Sequence, residues 1–289
     1  MVNFLLYALT VSIWGSTWLV ITYQLGTPVA VAVGWRFTVA ALLLLGWCLA
    51  RGISLRFPPR QLLFVILQGL ANFCFNYWMV YQAETRLSSG LVAVIFSLLM
   101  VFNMVGGRLF FVQRINLYGA AGAGLGLVGV LLVFWPEVSA GDARLSGILF
   151  ALGATFCSSC GNLLSVQNQK AGIPLIPGIT IGMAAGGLTM LAVGLLSGDS
   201  LAIPLTPQFL LPLLYLSLFG SVIAFAAYLG LIRRIGAGQA SYANVMIPMV
   251  ALALSSLFEG YHWQIAAMAG LLVSLAGNLL VMRGKAKPS

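Results

Sequence analysis

The side chains of this chain that can engage a solute are amides, hydroxyls and aromatic rings set inside apolar stretches. Asn72 and Asn76 are spaced i, i+4 and are followed by Tyr77 and Tyr81; a helix puts both amides on one face with Tyr81 near the same line. Trp14, Ser16, Thr17 and Trp18 cluster near the start. Ser158, Ser159, Asn162 and Ser165 make a second polar run, and Tyr242 and Asn244 precede Pro248. An amide in hydrocarbon needs a partner, so these residues predict interhelical bonds or a water-filled path. Pro248 inside a helix frees a carbonyl, which gives a kink or an acceptor. Such groups bind a solute without transforming it. No nucleophile, base and orienting group occur together, so enzyme chemistry is not expected.

Other motifs read as packing. Cys157 and Cys160 form a C-x-x-C, but zinc needs two more ligands and the only histidine, His262, falls in a loop region. GLGLVG at 124–129 satisfies G-x-G-x-x-G inside an apolar, glycine-rich stretch with no preceding strand, so close helix contact explains it better than a dinucleotide. Gly178, Gly182 and Gly186, at i, i+4, i+8, offer one helix face to a neighbouring backbone. No metal, no cofactor and no ATP-binding loop is expected. Arg36 is the basic residue deep in an apolar stretch. Arginine near a helix centre costs roughly 2.5–3.5 kcal/mol on insertion scales, so it should face protein or water, paired with Glu84 or with helix-end carbonyls. No acid falls in a span core, so an obligatory internal carboxylate relay is not expected.

These residues need positioning elements, and composition says which kind. Of 289 residues, 7% are charged and 61% apolar, with mean hydropathy +1.04. A soluble domain is about 25% charged. Continuous apolar stretches of about 20 residues mark helices that cross a bilayer, and disfavour a barrel, whose strands alternate. Ten such segments are expected, at 3–22, 29–50, 61–81, 89–107, 117–135, 146–168, 176–197, 208–230, 239–257 and 263–282. The first lacks a basic region and a cleavage site and reads as a retained helix. The net charge of +9 does not mark a nucleic-acid binder, because the basic residues lie singly or in pairs between apolar stretches.

Charge sets the expected orientation. With the N-terminus cytoplasmic, the even loops and the tail hold eleven basic residues and the odd loops only Arg86 and Arg144. That bias over short loops predicts both termini inside. All five acids, Glu84, Glu137, Asp142, Asp199 and Glu259, fall on the other side.

An internal repeat is also legible. QGLANFCFNY at 68–77 aligns with FGSVIAFAAY at 219–228, matching Gly69 to Gly220 and Tyr77 to Tyr228. GVLLV at 129–133 matches GNLLV at 277–281. Two halves of five spans each must enter the membrane from opposite sides, because five is odd. The expected units are 1–135, 146–282 and a cytoplasmic tail at 283–289.

IWGSTW in the first segment, WRF in the second, and NYWMVYQAE with SSGLVAVIF across the third and fourth resemble EamA-type carriers of the drug/metabolite transporter superfamily. IPM at 247–249 with LFEG at 257–260 resembles the matching stretch of the second half. Within the family, YddG-type exporters of aromatic and other neutral amino acids are similar. The resemblance implies an all-α basket of ten helices in two inverted five-helix repeats around a central cavity. Carried over residue by residue, it implies a cavity lined by Trp14, Trp18, Asn76, Tyr77, Tyr81, Ser97, Asn162, Tyr242 and Asn244. The chain departs from the pattern at Cys157, where the family has a second tryptophan, and at Glu259, where the first half has Phe111. Structural or gating roles are expected for Arg36, Glu84, Gly178, Gly182, Gly186 and Pro248.

The expectation is a multi-pass exporter or facilitator in a bacterial inner membrane, working by alternating access on a small-molecule substrate, most simply an amino acid. It needs the lipid bilayer, no nucleic acid and no cofactor, as a monomer or a higher assembly. The alternatives are a carrier of a drug, nucleotide precursor or sugar derivative, and a membrane interaction protein that transports nothing.

Overall fold

The structure, a computed structural model, describes residues 2–112, 115–138, 142–240, 243–262 and 264–285. Among these residues all regular structure is helical. In chain order the helices are α1 (Val2–Thr22), α2 (Val29–Ala50), α3 (Pro59–Glu84), α4 (Ser89–Phe111), α5 (Leu117–Val138), α6 (Asp142–Lys170), α7 (Leu175–Leu196), α8 (207–240), α9 (Ala243–Phe258) and α10 (Ile265–Lys285). Eight are long and apolar enough to cross a membrane, and Leu117–Val133 within α5, together with α9, adds two shorter apolar stretches. Large apolar side chains stand exposed on the outside, Leu109, Leu149 and Leu196 among them, as lipid-facing positions require. The four cysteines are free.

The helix ends follow local chemistry. Proline precedes α2 and α7 and opens α3 and α8, where its missing N–H costs nothing. Lys170 and Leu196 are each followed two positions later by a glycine with positive φ, Gly172 at 80° and Gly198 at 83°. These close the helices by returning Ile173 N–H to Asn168 O and Asp199 N–H to Gly194 O.

Glycines hold the bundle together. In α5 a Cβ on Gly122 would lie 2.5 Å from the Gly277 carbonyl of α10, and one on Gly277 would lie 2.5 Å from the Gly122 carbonyl. Gly129 and Gly270 repeat the reciprocal approach. The two helices therefore run antiparallel with their backbones in contact. On α2 and α7, Gly34 packs on Leu191 and Gly187 on Thr38, again antiparallel. In α7, Gly182 and Gly186 receive Gly69 and Phe73 of α3, whereas Gly178 meets only Ile173 of its own entry loop.

Three features differ from the expected segments. The expected loop at 231–238 is helical, and α8 runs through Arg233 and Arg234 to Ala240. The helix α4 loosens into a turn at Ser97 and Leu98, where the Ser97 hydroxyl donates to Val94 O at 2.6 Å. The helices α3 and α8 each contain a π-helical stretch, Leu70–Phe75 and Tyr215–Ile223. Pro212 just before the second removes a backbone donor and leaves that helix short of a regular bond.

Candidate functional site

Each π stretch buries one side, Phe73 and Cys74 in the first and Leu216, Ser217, Gly220 and Ser221 in the second, and polar and aromatic side chains contact them. Widened turns of this kind expose carbonyls that a regular helix would use internally. Trp14 of α1 uses one of them: its indole N–H donates to Gly220 O at 3.1 Å. The same ring sits edge-on to Phe225 and tilted on Tyr228, each at 5.2 Å. Tyr228 is itself half-buried against α1. About half a turn along α1, Ser16 and Tyr215 share a 2.7 Å hydrogen bond. Trp18, a further half-turn on, meets Phe96 of α4 edge-on at 5.2 Å. Thus α1 lies against α8 and α4 through separate ring and hydroxyl contacts.

A second set of contacts comes from α2 and α3. The Tyr77 ring packs on Phe37 at 4.7 Å and receives the Arg36 guanidinium 4.4 Å above its face. Arg36 is 1% exposed. Its Nη2 lies 3.7 Å from where a Cβ on Gly220 would stand, so it reaches from α2 to the π stretch of α8. Its backbone carbonyl accepts from the Ser217 hydroxyl at 2.9 Å. Asn76 is buried; its amide N–H donates to Asn72 O at 3.1 Å while its Oδ1 has no partner among the described residues.

The remaining expected positions separate by location. Asn162 is half-buried beside Gly161, against which the Asn72 side chain packs. Ser97 turns toward α10, 3.3 Å from the Ser274 hydroxyl. Tyr81 is fully enclosed and donates to Gln24 Oε1 at 2.7 Å, so in this conformation it seals one end. Pro248 is buried inside α9. Asn244 is exposed near the start of α9, and Tyr242 lies outside the described residues.

Tyr81 introduces a second polar group, at the helix ends that carry the acids. Gln24, Arg36, Glu84, Ser88 and Ser255 all have buried polar atoms there without a partner among the described residues. Glu84 is 6% exposed and neither carboxylate oxygen is hydrogen-bonded, so the expected direct pair with Arg36 does not form. The two groups still act on each other electrostatically. Glu259 closes the same end by accepting from Ser89 N–H at 3.2 Å and from the Ser89 hydroxyl. At the opposite end, where the basic residues lie, Asn168 donates to Gln68 Oε1 at 2.7 Å and ties α6 to α3.

Sequence reasoning missed Gln24, Phe37, Phe96, Tyr215 and Phe225 as members of these groups. Tyr215 and Phe225 bracket Gly220, so the repeat match of Gly69 to Gly220 was the signal that could have found them. Among the described residues no group of three or more histidines, cysteines or acids could hold a metal ion.

The comparisons with known proteins agree with this architecture. The model of the EamA-like transporter family matches residues 2–135 and 145–283. The chain is 33% identical over 290 residues to the uncharacterized inner membrane transporter YedA of Escherichia coli, covering 97% of this chain and 90% of the other. It is 26% identical to Protein PagO of Salmonella typhimurium, over 99% and 93% of the two chains. It is 24% identical to a probable amino-acid metabolite efflux pump of Salmonella typhimurium, over 96% and 91%. A solved crystal structure covering 96% of both chains superposes with a TM-score of 0.68 at 15% identity, a likeness of fold alone. The two family matches together span nearly all of an all-helical, membrane-crossing chain, and the chain belongs to the EamA-like transporter family.

Proposed function

We propose that the chain exports amino acids, aromatic and other neutral ones, by alternating access between two inverted five-helix repeats. Family membership points to a transporter and away from an enzyme. The observation that carries the substrate reading is the Trp14 contact: an indole pinned to the Gly220 carbonyl and packed on Phe225 and Tyr228, with Arg36, stacked on Tyr77, reaching the same glycine. Aromatic faces take the apolar part of a solute, and amide and hydroxyl groups take its polar part. A relative named as a probable amino-acid metabolite efflux pump supports the same substrate class.

The reciprocal, antiparallel contacts of α5 with α10 and of α2 with α7 support the inverted arrangement, in which one half rocks against the other around the site. In that scheme the conformation described here is sealed at the acidic end, by Tyr81 on Gln24 and Ser89 on Glu259. The setting is a bacterial inner membrane with both termini cytoplasmic, a placement the distribution of basic residues supports. Purified protein in liposomes, offered labelled amino acids, tests the reading. Saturable flux of phenylalanine, tryptophan or leucine is the expected result, and no flux for any member of a broad amino-acid panel overturns it.

A further inference from the structure

The acidic-end polar group contains a buried guanidinium and a buried carboxyl group that do not meet. Arg36 has Nε and Nη1 without acceptors, and Glu84 has both oxygens without donors. Both residues are more than nine-tenths buried. Glu84 lies within electrostatic range of both Arg36 and Glu259. Another unused donor is the Gln24 Nε2, held in place by the Tyr81 hydroxyl on its Oε1. Past Glu84, the hydroxyls of Ser88 and Ser255 are also unpartnered.

Leaving so many buried donors and acceptors unpaired is costly, and more so for charged ones. The pattern has two sides: Arg36 and Gln24 Nε2 offer unused donors, and the Glu84 carboxyl oxygens are unused acceptors. A lone anion would find Arg36 but meet repulsion from Glu84 and Glu259. A lone cation would find Glu84 but meet repulsion from Arg36. A net-neutral solute carrying both charges satisfies both sides.

Resting on the amino-acid reading above, we propose that Arg36 and Glu84 are an interrupted ion pair that a zwitterionic solute completes. Its carboxylate binds Arg36 with the Gln24 amide, and its ammonium binds Glu84. Its side chain lies toward Tyr77 and Phe37, whose rings flank the guanidinium at 4.4 and 5.1 Å. Binding would also neutralise the buried charges beneath the sealed end, which links occupancy of the site to closure of that end.

The test uses purified full-length protein and three probes that share one ring: L-phenylalanine, phenethylamine, which lacks the carboxylate, and 3-phenylpropionate, which lacks the ammonium. Each is titrated while the thermal unfolding midpoint is read, and each competes for labelled phenylalanine flux in liposomes. The expected result is half-maximal effect for phenylalanine at about tenfold lower concentration than for either half-molecule, the loss of one charge-assisted contact. Arg36→Gln should bring phenylalanine down to the level of phenethylamine. Glu84→Gln should bring it down to the level of 3-phenylpropionate, while Arg36→Lys and Glu84→Asp keep part of the preference. Equal potency of the three probes in the unmodified protein overturns the proposal and leaves water as what fills the gap. Preference for the zwitterion retained in both glutamine variants overturns it as well. If a variant fails to fold, the three-probe comparison on the unmodified protein decides alone. Flux without zwitterion preference sinks this inference and leaves the transport reading standing, whereas no flux and no shift with any amino acid sinks both.

Discussion

The Tyr81 hydroxyl donates to Gln24 Oε1 at 2.7 Å, and this bond joins the end of α3 to the segment that leaves α1. Both residues are fully buried, so water does not compete for the bond. Removing the hydroxyl strands the amide oxygen beside an amide nitrogen that already lacks a partner, a penalty of about 1–3 kcal/mol. Tyr81→Phe should therefore loosen the acidic end. A cysteine placed at Ser88 should react faster with a membrane-impermeant maleimide in the Tyr81→Phe background than in the unmodified one. Equal rates would mean that other contacts alone keep this end shut.

Backbone contact between α5 and α10 leaves no volume for a side chain. At Gly122 a Cβ would lie 2.5 Å from the Gly277 carbonyl and 2.7 Å from Val281 N, both backbone atoms that cannot swing aside. Gly122→Leu should separate the helices and abolish a monodisperse peak in size-exclusion chromatography, at a cost well beyond the about 1–3 kcal/mol of ordinary overpacking. Gly124, two residues on, faces open space. Gly124→Ala should change the unfolding midpoint little, or raise it, because alanine is the better helix former.

The helical architecture was legible because the bilayer imposes one length and one polarity on every span, and composition reports both. The interior was legible only in part. Trp14 and Tyr77 stand among the rings around the π stretches because rings and amides inside apolar segments have few other places to go. The π stretches themselves left no mark in the periodicity, since one extra residue per turn does not change which residues are apolar. Gln24 escaped notice for a related reason: a glutamine just past a helix end reads as solvated until tertiary contacts enclose it. Arg36 and Glu84 were singled out by their charge, yet their separation depends on side-chain reach across α2 and α3, which spacing along the chain does not encode.

The glycine row of α7 should divide by position. Gly182 faces the Cα of Gly69 at 3.2 Å from where its own Cβ would stand, and Gly186 would place a Cβ 2.8 Å from Phe73. Gly178 would meet only the Ile173 methyl at 3.5 Å, an ordinary contact. Gly186→Ala should lower the unfolding midpoint by several degrees, following about 1–3 kcal/mol of strain. Gly178→Ala should leave it within about one degree. If both behave alike, the row does not act through contact with α3.

Trp14 and Gly220 should be coupled, because each positions the other. A Cβ at Gly220 would stand 2.8 Å from the Thr17 methyl, so Gly220→Ala must push α1 away from the π stretch and lengthen the indole bond. Trp14→Phe removes the same bond directly while keeping a ring against Phe225 and Tyr228. Each single change should reduce phenylalanine flux about tenfold, the loss of roughly one hydrogen bond and of ring placement. The double variant should be little worse than either single one, since the second change removes an interaction already lost. Flux in liposomes at matched protein content reads this directly. Fully multiplicative losses would show that Trp14 and Gly220 serve transport separately, with the indole bond incidental to it.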